Sequence, residues 1–266
     1  MTEAASLSAE DGGSVRLSRD RLVLLARLGV ISVFLLVWQA ACSAGVSPQI
    51  LPTPLAVLRA TGRLLQDPSL VAAIGATLLE LASAFLIALV AGGLIGYALS
   101  LGLRTERIGM PILLMFYALP QITILPLFVL YFGLGIAGKI AFGVSHGLFP
   151  VALGAHAGMR RRNAQYDRWA TSLGASRWQR FRRLSLPQLL PALCTGMRLA
   201  MAMTLLGVLL AELYVSSLGI GFYVQIYTNA LQSDALFSLV FMLALIAILL
   251  NSLVGMMERR MRRFET

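Results

Sequence analysis

Tyr166-Asp-Arg-Trp-Ala-Thr-Ser-Leu-Gly-Ala-Ser-Arg-Trp-Gln-Arg-Phe-Arg-Arg-Leu-Ser-Leu-Pro187 lies between two apolar runs, about 139–158 and 189–213, each long enough to cross a bilayer. Asp167 stands near the start of Tyr166–Leu173, where an acidic group suits the dipole of a short helix. Gly174 supplies the left-handed turn that stops such a helix. Ser176 is placed to cap a second helix over 177–184, and Pro187 is expected to end it where the chain turns into the next apolar run. A plain connecting loop needs neither Gly nor Pro at fixed offsets. The segment 160–188 therefore reads as a rigid elbow, with both ends fixed, on which another protein can push.

The surroundings of this elbow are those of a polytopic membrane protein. Of 266 residues 58% are hydrophobic and only 13% charged, against about a quarter charged in soluble domains. Residues 1–15 are small, polar and acidic and are expected to be disordered; the remainder, 16–266, forms one all-helical transmembrane domain. Six spans are expected at about 22–45, 71–103, 110–132, 139–158, 189–213 and 236–257. Three prolines in Ser47–Pro54 exclude a continuous helix. Thr53 and Pro54 open a short amphipathic helix at the interface, which Pro68 is expected to close. Gly92, Gly93 and Gly96 give the second span a small-residue face, and Pro120 and Pro126 predict a kink in the third. The formal charge is +10, and all but five (Arg27, Arg59, Arg63, Lys139 and Arg198) of the 22 basic residues fall in segments on one side of the spans. That asymmetry puts both termini and the elbow in the cytoplasm. No gap interleaves aromatic and basic residues as a nucleic-acid groove would.

Chemistry-bearing residues are few. Glu80 and Glu212 fall in apolar runs, where an unpaired charge at a helix centre costs roughly 2.5–3.5 kcal/mol. Glu212, close to the end of its span, suits either an interfacial structural role or a place on a pathway. Arg198, eleven residues beyond Pro187, either snorkels to the surface or faces the bundle as a pathway or ion-pair residue. His146 and His156 stand ten apart with no metal-ligand spacing, and Cys42 and Cys194 read as small buried hydrophobes. No metal site, nucleophile–base pair or Gly-rich nucleotide loop with its Lys-Ser/Thr is present, which argues against an enzyme and against self-contained ATP hydrolysis. A self-powered secondary transporter would require paired interrupted helices in two repeats, and the prolines crowd into one span instead.

The elbow resembles the EAA loop of bacterial ABC importer permeases: Glu-Ala-Ala, three residues, Gly, nine residues, Ile, one residue, Leu-Pro. Ala170, Gly174, Leu186 and Pro187 match, with Leu184 in the Ile position. Leu51-Pro-Thr-Pro54, Pro120, Leu125-Pro126, Phe132-Gly-Leu-Gly135, Thr195–Ala200, Ala211-Glu212 and Ser217-Leu-Gly-Ile-Gly221 extend the resemblance to the nitrate/sulfonate/taurine permease branch. The family's Glu falls at Arg168 and its first Ala at Trp169, and Glu80 stands where related permeases often carry a basic residue. The resemblance implies a type I importer permease of the bacterial cytoplasmic membrane, with Asp167, Arg168, Trp169, Ala170, Gly174, Ala175, Leu184, Leu186 and Pro187 coupling it to an ATPase dimer. It further implies a second permease copy, an extracytoplasmic substrate-binding protein and a lipid surround. ATP and Mg belong to the ATPase, and this chain binds no cofactor. The implied cargo is a small sulfonate, taurine or nitrate-type anion, with a pyrimidine or other vitamin precursor as the alternative.

Overall fold

The computed structural model describes residues 3–160 and 164–262, and every regular element among them is helical. In chain order the helices are α1 (Glu3–Ser43), α2 (Pro54–Leu64), α3 (Pro68–Leu99), α4 (Leu103–Ala118), α5 (Leu125–Phe132), α6 (Ile136–Arg160), α7 (Ala164–Ser172), α8 (Arg177–Arg180), α9 (Leu186–Val215), α10 (Ile220–Asn229) and α11 (Ser233–Arg262). Five are long and apolar enough to cross a membrane. The expected sixth span is reached by counting α4 and the segment Gln121–Phe132, bent by 84°, as one crossing.

Helix starts follow local chemistry. The Thr53 hydroxyl accepts from the Ala56 N–H at 3.2 Å, and Pro54 occupies the first turn of α2, where its missing N–H is not needed. Pro68 opens α3 and does not close α2, because Asp67 before it acts as the cap. The Asp67 carboxylate accepts from the Ser69 hydroxyl at 2.6 Å and the Ser69 N–H at 2.9 Å. Those bonds hold its carboxyl below the ordinary carboxylate range.

The core is a layer of three helices with α6 between α3 and α9. Phe142, Val151 and Ala152 of α6, Ala84 and Ala88 of α3, and Ala200, Val208 and Ala211 of α9 are buried. At Gly154 and Gly196 the α6 and α9 backbones touch: a methyl group added to either would lie 2.8 Å from opposing backbone. Gly92 and Gly96 of α3 meet α6 in the same manner, whereas Gly93 faces open space. The small-residue face of α3 is therefore split between a helix contact and a groove of about 700 Å³, which Trp178 of the elbow also lines.

Several expectations are corrected. Residues from Glu3 onward continue α1 as helix and are not irregular; Ala4, Ala5, Leu7, Ala9 and Glu10 are good helix formers with no proline among them. The third run is broken, not merely kinked: α4 ends at Ala118, a 3₁₀ turn covers Gln121–Ile124, and α5 follows. Pro120, lacking an N–H, cannot continue the ladder. Pro187 does not end a helix either. Phe181–Ser185 forms a π-helical turn that runs directly into α9, placing Pro187 in the first turn of that helix. Finally, the segment between the last two expected spans contains α10.

Candidate functional site

The elbow is stiff for identifiable reasons. The N–H of Ala175 bonds to the Ala170 carbonyl at 2.9 Å and that of Gly174 to Thr171 at 3.0 Å. This double closure, with Gly174 at φ +77°, is the Schellman stop of a helix. Two residues on, Ser176 and Gln179 form a reciprocal capping box: the Gln179 N–H donates to the Ser176 hydroxyl at 3.2 Å, and the Ser176 N–H donates to the Gln179 carbonyl oxygen at 2.9 Å. Arg180 reaches back across the turn and donates to the Thr171 hydroxyl at 2.8 Å. The two short helices are thus pinned to each other.

The tip faces outward. Leu173 is 87% exposed, and Trp169 and Trp178 are exposed on the two arms. Tyr166 and Trp169 lie with ring centroids 5.6 Å apart. Arg168 is exposed; Ala170, Ala175, Leu184 and Leu186 are half-buried. Asp167 and Pro187 lie on the helical backbone, but their side chains fall outside the described ones, as Arg161, Arg162 and Arg263 fall outside the described residues. The tip is apolar and aromatic and framed by arginines, and the π turn joins the elbow directly to α9.

The opposite end of the spans holds a buried polar knot. Glu80 of α3 and Glu212 of α9 are wholly buried, and Lys139 of α6 is 3% exposed. Lys139 pairs with Glu80 and donates to the Leu218 carbonyl at 3.1 Å. The Thr77 hydroxyl donates to Glu212 Oε1 at 2.7 Å, and the Gly221 N–H donates to Oε2 at 2.9 Å. The Ile220 N–H in turn donates to the Thr77 oxygen at 3.0 Å. Gly219 sits at φ +123°, and a Cβ there would strike the Glu212 carboxylate. The Ser217–Gly221 segment therefore wraps Glu212 closely, and only glycine fits at the point of contact.

Each of the intramembrane charges that the sequence singled out has a partner in the fold. Glu212 and Glu80 tie three spans and the start of α10 together. Arg198 pairs with Glu258 of α11 at 2.5 Å and is 45% exposed on its side chain. Sequence reasoning missed Lys139 and Glu258 as partners, and it missed Thr77. The signal was available in part: the chain's single lysine, inside an apolar run, demands a counter-charge. It also missed that His156 has an acidic neighbour. Glu106 of α4 lies 3.4 Å from His156 and 3.1 Å from Arg160, and the far ring nitrogen of His156 lies 3.1 Å from the Ser100 hydroxyl. This cluster joins α3, α4 and α6 at the elbow end. Among the described residues no group of His, Cys, Asp and Glu is arranged to hold a metal ion.

The chain is similar to known transport permeases. The chain is 31% identical to the taurine transport system permease protein TauC of Escherichia coli (strain K12), covering 88% of this chain and 87% of the relative. It is 28% identical to the putative aliphatic sulfonates transport permease protein SsuC of Bacillus subtilis (strain 168), over 98% and 96%. It is 27% identical to the formylaminopyrimidine transport permease protein ThiX of Halalkalibacterium halodurans, over 82% and 86%. The model of the binding-protein-dependent transport system inner membrane component matches residues 64–263, from the end of α2 through the spans, the elbow and the knot. With three-quarters of its length so matched, the chain belongs to the family of binding-protein-dependent transport system inner membrane components.

Proposed function

We propose that this chain is the pathway-forming permease of an ATP-driven importer for a small sulfonate-, taurine- or nitrate-type anion, worked from the cytoplasm through Asp167–Pro187. The observation that carries this reading is the pinned elbow with an exposed Leu173 tip, joined without a flexible break to α9. The sequence offers no nucleotide-binding loop of its own. Force must come from a separate ATPase pair gripping two elbows, one from each of two copies of this chain. ATP binding brings the elbows together and opens the pathway outward; hydrolysis resets it. A binding protein delivers solute to the outer surface formed by α2 and α10. The excess of arginines at the elbow end supports a cytoplasmic elbow and cytoplasmic termini.

The printed names of the taurine and sulfonate relatives support an anionic cargo, while that of the Halalkalibacterium protein keeps a pyrimidine-type vitamin precursor as a second reading. The test is reconstitution in vesicles with the cognate ATPase and binding protein, presenting taurine, an alkanesulfonate, nitrate and a formylaminopyrimidine in parallel. Uptake of one of them should require all three components and ATP. Uptake by the purified chain alone would overturn the reading.

A further inference from the structure

The break between α4 and α5 sits at membrane depth. Residues 108–118 form about 16 Å of helix, roughly half of a ~30 Å hydrocarbon layer, before the ladder stops at Leu119-Pro120. The helices flanking the break both pack on α6. Tyr117 meets Phe149 of α6 with ring centroids 5.5 Å apart, and Phe128 meets Phe142 edge-on at 5.3 Å. Non-helical backbone at this depth is tolerated only where protein buries it or where it lines water. Here α6 covers one side alone: Leu119, Pro120, Ile122 and Thr123 are exposed, and Gln121 is half-buried. A cavity of about 390 Å³ beside Ile122 and Leu125 reaches Tyr214 and Val215 at the end of α9.

The polar groups at the break have a defined arrangement. The Thr123 N–H and hydroxyl both donate to the Pro120 carbonyl, at 3.0 and 2.7 Å. The Ser145 hydroxyl of α6 bonds the Phe142 carbonyl at 2.7 Å and lies 3.4 Å from the Gln121 carbonyl oxygen. That contact turns the oxygen of Gln121 toward α6 and leaves its two N–H groups as donors. No Asp, Glu, Lys or Arg occurs between residues 108 and 138.

We infer that the Leu119–Ile124 break, with Gln121 and Thr123 at its face and Ser145 behind, is a solute-contacting station of the permeation pathway. It takes small solutes through uncharged hydrogen-bond groups, chiefly the Gln121 amide donating to oxygen or ring-nitrogen acceptors. The inference rests on the permease reading above. A station without fixed charge binds such a solute weakly enough to release it, and it passes oxyanions and pyrimidines alike, leaving discrimination to the delivering protein.

The test uses the complete transporter carrying Gln121→Cys, Thr123→Cys or, as control, Ile87→Cys, an exposed mid-helix position of α3. Each preparation is first shown to hydrolyse ATP under binding-protein stimulation. Absence of that stimulation in the wild-type complex would tell against the permease reading and not against the station. The probe is the membrane-impermeant anion sulfonatoethyl methanethiosulfonate, with labelling quantified on the peptide that contains each introduced thiol. The Gln121→Cys and Thr123→Cys thiols should react, at rates that differ between nucleotide-free and ATP-loaded complexes, while Ile87→Cys stays unlabelled. If both are as inert as Ile87→Cys in both states, the break is sealed by protein or lipid and the station is overturned. Should one variant fail to assemble, the other decides the matter, because Thr123 is exposed and its replacement disturbs no packing against α6.

Discussion

The two ends of the spans solve opposite problems with the same kinds of residue. At the knot, Glu80, Lys139, Glu212 and Thr77 are withdrawn from water, and each has its partner inside the chain. At the elbow, Arg168 and the Trp169, Leu173 and Trp178 side chains are turned outward. There the internal hydrogen bonds go to the backbone turn and to Arg180, and not to the tip. Buried charge in low dielectric is strongly coupled and intolerant of loss, so the knot fixes α3, α6, α9 and α10 as a unit. Exposed charge is weakly coupled, so the elbow holds its shape by caps and leaves its surface exposed. One end is closed on itself and the other is open to contact.

That contrast can be broken by mutation. Lys139→Met leaves the buried Glu80 carboxylate without its cation, and removing one partner of a buried pair costs about 3–5 kcal/mol. The solubilised protein should melt far below wild type, and adding Glu80→Gln should recover part of the loss. An unshifted melting curve for Lys139→Met would mean the knot is not a structural anchor. Gly174→Pro should act the other way. Proline cannot adopt φ +77° or donate to Thr171, so ATP-driven uptake should vanish while melting is unchanged. Retained uptake would remove the elbow from force transmission.

Gly219→Ala places a methyl group against the Glu212 carboxylate at a positive φ, a strain of about 1–3 kcal/mol readable in the same melting assay. Arg168→Glu reverses one exposed charge, and association with the ATPase should change by about fivefold at most. Identical association would put position 168 outside the contact. The smallest effect is expected for Asp67→Ala, which removes the α3 cap. Because Asp67 titrates below the ordinary carboxylate range in the folded protein, its contribution is present above the unfolded carboxylate range. It fades as pH falls through the lowered folded value. Wild type and D67A should therefore differ slightly near neutrality and converge in acid.

Much of the elbow was legible because its devices are local. A Gly four residues after Ala170 and a Ser two residues beyond it are signals within one or two helical turns, whereas the Gln179 that completes the capping box went unread. Their bonds formed at those residues. Pro187 was misread because proline is compatible with both the end of one helix and the first turn of the next. Only the π turn ahead of α9 distinguishes the two. Gln121 and Ser145, 24 residues apart, carried no sequence signal at all: each is an ordinary polar residue in an apolar run.

Apolar run lengths, proline positions and the one-sided arginines are properties of the chain itself. They set an all-helical membrane fold, whose six expected crossings are five single helices and one bent pair, and the existence of a stiff elbow. Which charge meets which was settled only by packing. Glu80 and Lys139 are 59 residues apart in sequence, and Thr77 and Glu212 135 apart. Such pairs become neighbours because α6 lies between α3 and α9, an outcome of how small residues let those backbones approach. Local rules act over a turn or two of helix; the pairing of buried charges depends on which helices end up side by side.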